Sequence, residues 1–101
     1  MDTQTLLADM KARFAHNSAK HYLKEKYSSK LLVADQDGLW RADVPTITFL
    51  SNTTSEKIIM IDLYDNPVEV TVSSLLNTLT TTYETVMTEW YNEFKELENK
   101  R

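Results

Sequence analysis

A chain of 101 residues, 42% apolar and 26% charged, is long enough for one cooperative core and too short for two, so residues 1–101 read as a single domain. The absence of cysteine excludes disulfides, thiolate metal sites and thiol nucleophiles together, and fits an intracellular, cytoplasmic setting. Net charge is −4 but uneven: residues 1–41 carry seven basic and five acidic side chains, residues 42–101 four and ten, which argues against nonspecific nucleic-acid binding by the whole and would suit pairing of the first helix with the last.

Residues 3–27 hold neither glycine nor proline and are rich in helix formers, with Asp2 or Thr3 available as a cap; they predict a helix of about seven turns ended by Ser28 and Ser29. The opening MDTQTLLADMKARF has an early acid and no long apolar run, so it reads as neither signal peptide nor membrane span. Three stripes run along this helix. Leu7, Met10, Phe14 and His21 form an expected core face. Ala8, Ala12, Ala15, Ala19 and Tyr22 would let a second helix approach closely. Arg13, Asn17, Lys20 and Lys24 make a polar, basic face.

Residues 31–34 and 39–42, joined by Asp35-Gln36-Asp37-Gly38, predict a short β-hairpin in which Gly38, the one glycine, supplies the positive φ of the turn. Asp43-Val44-Pro45 opens a short helix through about Ser51, with Ile47 and Leu50 facing the core. Residues 57–64, rich in isoleucine, are the clearest strand. Asp65-Asn66-Pro67 turns the chain back into a strand with Val68 and Val70 on one face, Glu69 and Thr71 on the other. Pro67 places that strand at an edge or at its start.

Thr71 then caps a long terminal helix. Along it Val72, Leu76, Leu79, Tyr83, Val86 and Trp90 recur at alternating four- and three-residue steps, followed by Phe94 and Leu97. The order is α-ββ-α-ββ-α, class α+β, with an antiparallel sheet of about four strands packed with long N- and C-terminal helices. Because the terminal helix outruns short strands, its distal seam must pack on the N-terminal helix, on a second copy or on a foreign partner.

Chemistry-bearing patterns are sparse. His16 and His21 lie five apart, pointing about 140° away from each other on one helix, so they cannot share a metal, and His21 reads as packed or partly buried. Asp35-Gln36-Asp37-Gly38 starts like a calcium loop, but Leu39 stands where a third ligand belongs, so it reads as a turn. Asp62, Asp65 and Glu69 could hold magnesium as nuclease carboxylates do, yet Thr71 occupies the place of the nuclease lysine. No glycine-framed nucleophile elbow or phosphate loop is present. No enzyme activity, cofactor or metal is expected.

The stretch KIIMIDLYDNPVEV over residues 57–70, running into a long helix that ends ELENKR, resembles small accessory proteins of tailed bacteriophages of the T4-like kind. That resemblance implies a viral protein acting by binding in the host cytoplasm, as a virion-assembly factor or an inhibitor of a host protein. From the residues themselves, the leading expectation is a non-enzymatic protein-interaction module that self-associates as a homodimer. Its anchors would be Val86, Trp90, Phe94 and Leu97, opposed by Ala8, Ala12, Ala15 and Ala19. The alternative is a nucleic-acid-binding accessory protein using Arg13, Lys20 and Lys24.

Overall fold

The computed structural model of the chain describes residues 3–99, apart from the side chains at positions 4–6, 9 and 12–15. The expectations for Ala12, Arg13, Phe14 and Ala15 fall on those side chains and lie outside the described residues. The elements are α1 (Thr3–Lys30), β1 (Leu32–Asp35), β2 (Gly38–Arg41), α2 (Val44–Ser51), β3 (Lys57–Ile61), β4 (Pro67–Thr71) and α3 (Val72–Asn99). This is the expected α+β order. The first helix runs past Ser28 and Ser29 to Lys30, because their hydroxyls do not break the backbone ladder; Ser29 Oγ instead donates back to the Lys26 carbonyl.

The single four-stranded sheet expected from the sequence is replaced by two separate two-stranded sheets, β1 with β2 and β3 with β4, each antiparallel. The physical reason lies at their junction. Where a strand ladder would have to form, a carboxylate and an amide side chain intervene. Asp62 Oδ2 accepts from the Leu39 N–H, and the Gln36 amide occupies both main-chain groups of Thr71. One backbone bond, from the Leu63 N–H to the Leu39 carbonyl, completes the junction.

The turn of the first hairpin also differs from expectation. Gln36 and Asp37 carry the positive φ, at 48° and 62°, as a two-residue turn of the I′ kind requires, and Gly38 does not. Gly38 is needed for space: a Cβ there would lie 2.6 Å from Cζ2 of the Trp40 ring. That ring folds back over the hairpin, and its indole N–H donates to the Asp35 carbonyl at 2.7 Å. Trp40 is thus buried beside the turn that its own strand begins.

The Asp43 carboxylate caps α2 by accepting from the Thr46 N–H at 3.0 Å, and Pro45 sits in the first turn where its missing donor costs nothing. Leu50 and, less fully, Ile47 face inward as expected. The core joins Leu50, Val70, Leu75 and Leu79 at the sheet end with Leu23, Tyr27 and Val86 between the helices. Leu75, one step off the expected seam, is fully buried, and Leu76 is only partly so.

The two 28-residue helices pack antiparallel but offset, in a molecule 65 × 25 × 20 Å in extent. Each helix is about 42 Å long, so the long axis records their overhang. The supposed core face of α1 is overturned where it is described. Leu7 and Met10 are more than half open to solvent or nearly so, and the His21 side chain is exposed and paired with Glu25 at 3.0 Å. Among the described side chains of α1 the buried ones are Leu23 and Tyr27, where Trp90 and Glu93 of α3 meet that helix.

Candidate functional site

The terminal-helix anchors are engaged within the chain. Trp90 stacks on Tyr27 with ring centroids 5.9 Å apart and planes 12° from parallel. Lys20 Nζ lies 6.0 Å from the Phe94 ring centroid, Val86 is buried, and Leu97 packs partly buried against the same core. Of the alanine face, Ala19 is half-buried and Ala8 exposed, while the side chains of Ala12 and Ala15 lie outside the described residues.

Charge locks this helix pair. Lys26 Nζ donates to both oxygens of Glu93 at 2.9 and 3.2 Å, and Lys30 lies 3.6 Å from Glu89. The bond from Lys26, then that from the Tyr27 hydroxyl, holds the Glu93 carboxyl below the usual carboxylate range. The same bond raises Lys26, while burial and then the Glu93 bond push the Tyr27 phenol up. Of the basic face expected on α1, Lys20 and Lys24 are exposed, while the neighbouring Lys26 and Lys30 turn to α3.

The second hairpin is organised by Asp62, which is 5% exposed. Its Oδ1 accepts from the Tyr64 and Asn66 N–H groups at 3.0 and 2.9 Å, and its Oδ2 from Leu39 at 3.1 Å. Those bonds, Asn66 first, outweigh burial and hold its carboxyl below the usual range. Asp62 therefore ties one hairpin to the other. Asp65, at φ 64°, and Glu69 are exposed and point elsewhere, so the three carboxylates considered for magnesium are not brought together. Among the described residues no group of three His, Cys, Asp or Glu side chains is placed to hold a metal ion.

An open cleft of about 560 Å³ lies between the tip of the first hairpin and the turn of the second, lined by Asp35, Gln36, Asp37, Asp62, Tyr64 and Asn66 among others. The calcium-like tetrapeptide forms part of its wall as an ordinary turn.

Beyond this cleft lies the outer edge of β3, to which nothing in the sequence had drawn attention. Antiparallel strands alternate residues whose main-chain groups point to the partner with residues whose groups point away. The ladder of the second hairpin is bracketed by bonds from the Val72 N–H to the Glu56 carbonyl and from the Asp62 N–H to the Asn66 carbonyl. Counting by twos from either end leaves Ile58 and Met60 bonded to β4, and Lys57, Ile59 and Ile61 pointing outward. Pro67, with no N–H, sits opposite Ile61, where none is needed.

The two edges of this hairpin differ in cover. On β4, Thr71 donates to Gln36 Oε1 at 2.7 Å and accepts from its Nε2 at 3.3 Å. On β3, no described residue bonds to the main chain of Lys57, Ile59 or Ile61. The side chains beside this bare edge are apolar and open: Ile59 is 63% exposed, Ile61 62%, and in the following turn Leu63 45% and Tyr64 70%. Such a run could be read only as a strand in the sequence, since KIIMI is apolar on both faces and alternation is silent. Its signal was the isoleucine at positions 59 and 61, where a half-wet strand would carry polar residues.

No helix among the described residues is long and apolar enough to cross a membrane. Comparison with protein-family models, with curated proteins and with solved structures finds no match for this chain.

Proposed function

We propose that this protein is a non-catalytic protein-interaction module that meets its partner at the sheet end, through the outer edge of β3 and the adjoining Ile59, Ile61, Leu63 and Tyr64. The observation that carries this reading is an unpaired strand edge flanked by exposed isoleucines, while the helix seam is occupied by the chain's own α1. Exposed edges of this composition are templates for another extended chain, and folded proteins ordinarily blunt them with proline, charge or a bulge. The anchors expected at Val86, Trp90, Phe94 and Leu97 serve internal packing in this reading, with association moved to the opposite end of the molecule.

An assembly factor or an inhibitor of a host protein, the two roles implied by the resemblance to phage accessory proteins, would each work through such a surface. Nucleic-acid binding through Arg13, Lys20 and Lys24 draws less support, because Lys26 and Lys30 are spent on Glu93 and Glu89.

The test is photo-crosslinking in the cells that make the protein, with p-benzoylphenylalanine in place of Tyr64 or, as a control on α3, of the exposed Tyr91. Polypeptide adducts are expected from position 64 and none from position 91. No adduct from position 64 would overturn the reading, whether or not position 91 gives one.

A further inference from the structure

From the edge geometry we infer that the partner strand is β3 of a second copy, paired antiparallel about a two-fold axis at Ile59. This rests on the binding surface proposed above and names its occupant. The outward groups of Lys57, Ile59 and Ile61 form an alternating row of donors and acceptors, which only another extended strand satisfies in full. Centring the axis on Ile59 sets Ile59 against Ile59, Lys57 against Ile61 and Ile61 against Lys57. Every outward N–H then meets a carbonyl, each facing pair exchanging two hydrogen bonds.

Side-chain chemistry selects this register. An in-register parallel pairing would set Lys57 beside Lys57 and the antiparallel one does not, so like charges do not meet across the axis. Isoleucine at the centre gives a β-branched cross-strand pair on the face where Ile59 and Ile61 are now exposed. The strand carries no proline or bulge and only a terminal charge, so none of the usual devices blocks its edge.

The fold also stops the assembly at two. Addition at β3 makes a four-stranded sheet in the order β4-β3-β3-β4, and both of its new outer edges are β4, whose Thr71 is already capped by Gln36. The contact is isologous and closes on itself, so it yields a dimer and not a fibre. It also gives each two-stranded sheet, marginal by itself, the additional strands that independent stability asks for.

The lack of cysteine makes the register directly testable. Sedimentation equilibrium of the unaltered chain should return twice the chain mass, unchanged by added salt. Ile59→Pro removes only an outward N–H and should return once the chain mass with the helical circular dichroism retained; should that variant unfold, Ile59→Lys, which sets like charges across the axis, should give the same monomer. Ile59→Cys should oxidise to a linked dimer. Lys57→Cys and Ile61→Cys should each fail to link alone and should link when mixed. Glu69→Cys, on β4, should not link. A monomeric unaltered chain, a folded Ile59→Pro or Ile59→Lys dimer, or linking through Glu69→Cys would overturn the inference. A monomer that still gives a Tyr64-position adduct of foreign mass would overturn the second copy while leaving the interaction surface standing, whereas a monomer without any adduct would remove both.

Discussion

The two hairpins are built to the same plan and end in opposite conditions. Both are antiparallel pairs of short strands, but the outer edge of β2 is met at Leu39 by Asp62 and Leu63, whereas the outer edge of β3 is met by nothing among the described residues. The first hairpin is also closed from within, its Trp40 ring lying against Gly38 and bonding to Asp35. The second spends its one buried carboxylate on joining the two hairpins and leaves its isoleucines outside. The loops between the strands thus supply partners for Leu39 on β2 and Thr71 on β4, and none for the outward groups of β3 among the described residues.

Truncating equivalent apolar side chains should break the symmetry between the hairpins most sharply. Trp40→Ala should cost about 3–5 kcal/mol in denaturant unfolding, because the ring is buried against its own turn and the core. Ile61→Ala, on the exposed face, should stay within about 0.5 kcal/mol when measured on dilute, unassociated protein. Gly38→Ala should cost about 1–3 kcal/mol by overpacking, since the new methyl would press on the Trp40 ring. Comparable losses at Trp40 and Ile61 would mean that β3 is covered after all.

The tie between the hairpins has its own pH signature. The Asp62 carboxyl is held low in the folded state by the Asn66, Leu39 and Tyr64 N–H groups. Its stabilisation is therefore fully present above the unfolded carboxylate value of about 3.9 and is lost as pH falls through the lower folded value. Thermal melts taken from neutral to acid pH should show that loss. Asp62→Asn, which keeps one acceptor but no charge, should lower stability at neutral pH and flatten the acid limb. An unchanged acid limb in the variant would assign the pH dependence to other carboxylates.

The smallest effect is expected at the far end of the molecule. Lys26→Ala should destabilise only slightly, because the Lys26–Glu93 pair is a third exposed on each side and screened by water and salt. It should leave the association state untouched. A Lys26→Ala variant that dissociates the protein would return the interface to the helices.

Much of this architecture was legible in the sequence where the signal is local. The helix capped by Asp43, the turn at Asp65 to Pro67 and the seam from Val72 to Leu97 each announce themselves within a few residues. The separation of the sheets was not legible, because it depends on Asp62 reaching Leu39 and Gln36 reaching Thr71, contacts between residues 23 and 35 positions apart. The reading of Gly38 as the positive-φ residue followed the commonest turn chemistry. Here Asp and Gln adopt that conformation, and glycine is kept for the tryptophan two positions on. Leu7, Met10 and His21 were placed in a core by helical spacing alone, but spacing does not tell how far along α1 the partner helix extends. The candidate site was the least legible part, since isoleucine on both faces of β3 reads equally well as a strand buried on both.

The most direct measurement of the account is amide hydrogen exchange along β3, followed by nuclear magnetic resonance at low and high protein concentration. In dilute protein the account predicts fast exchange at Lys57, Ile59 and Ile61 alternating with slow exchange at Ile58 and Met60, and strong slowing at the first three as concentration rises. Uniform protection of β3 at low concentration, or slowing confined to α3 around Trp90 and Phe94 at high concentration, would contradict it.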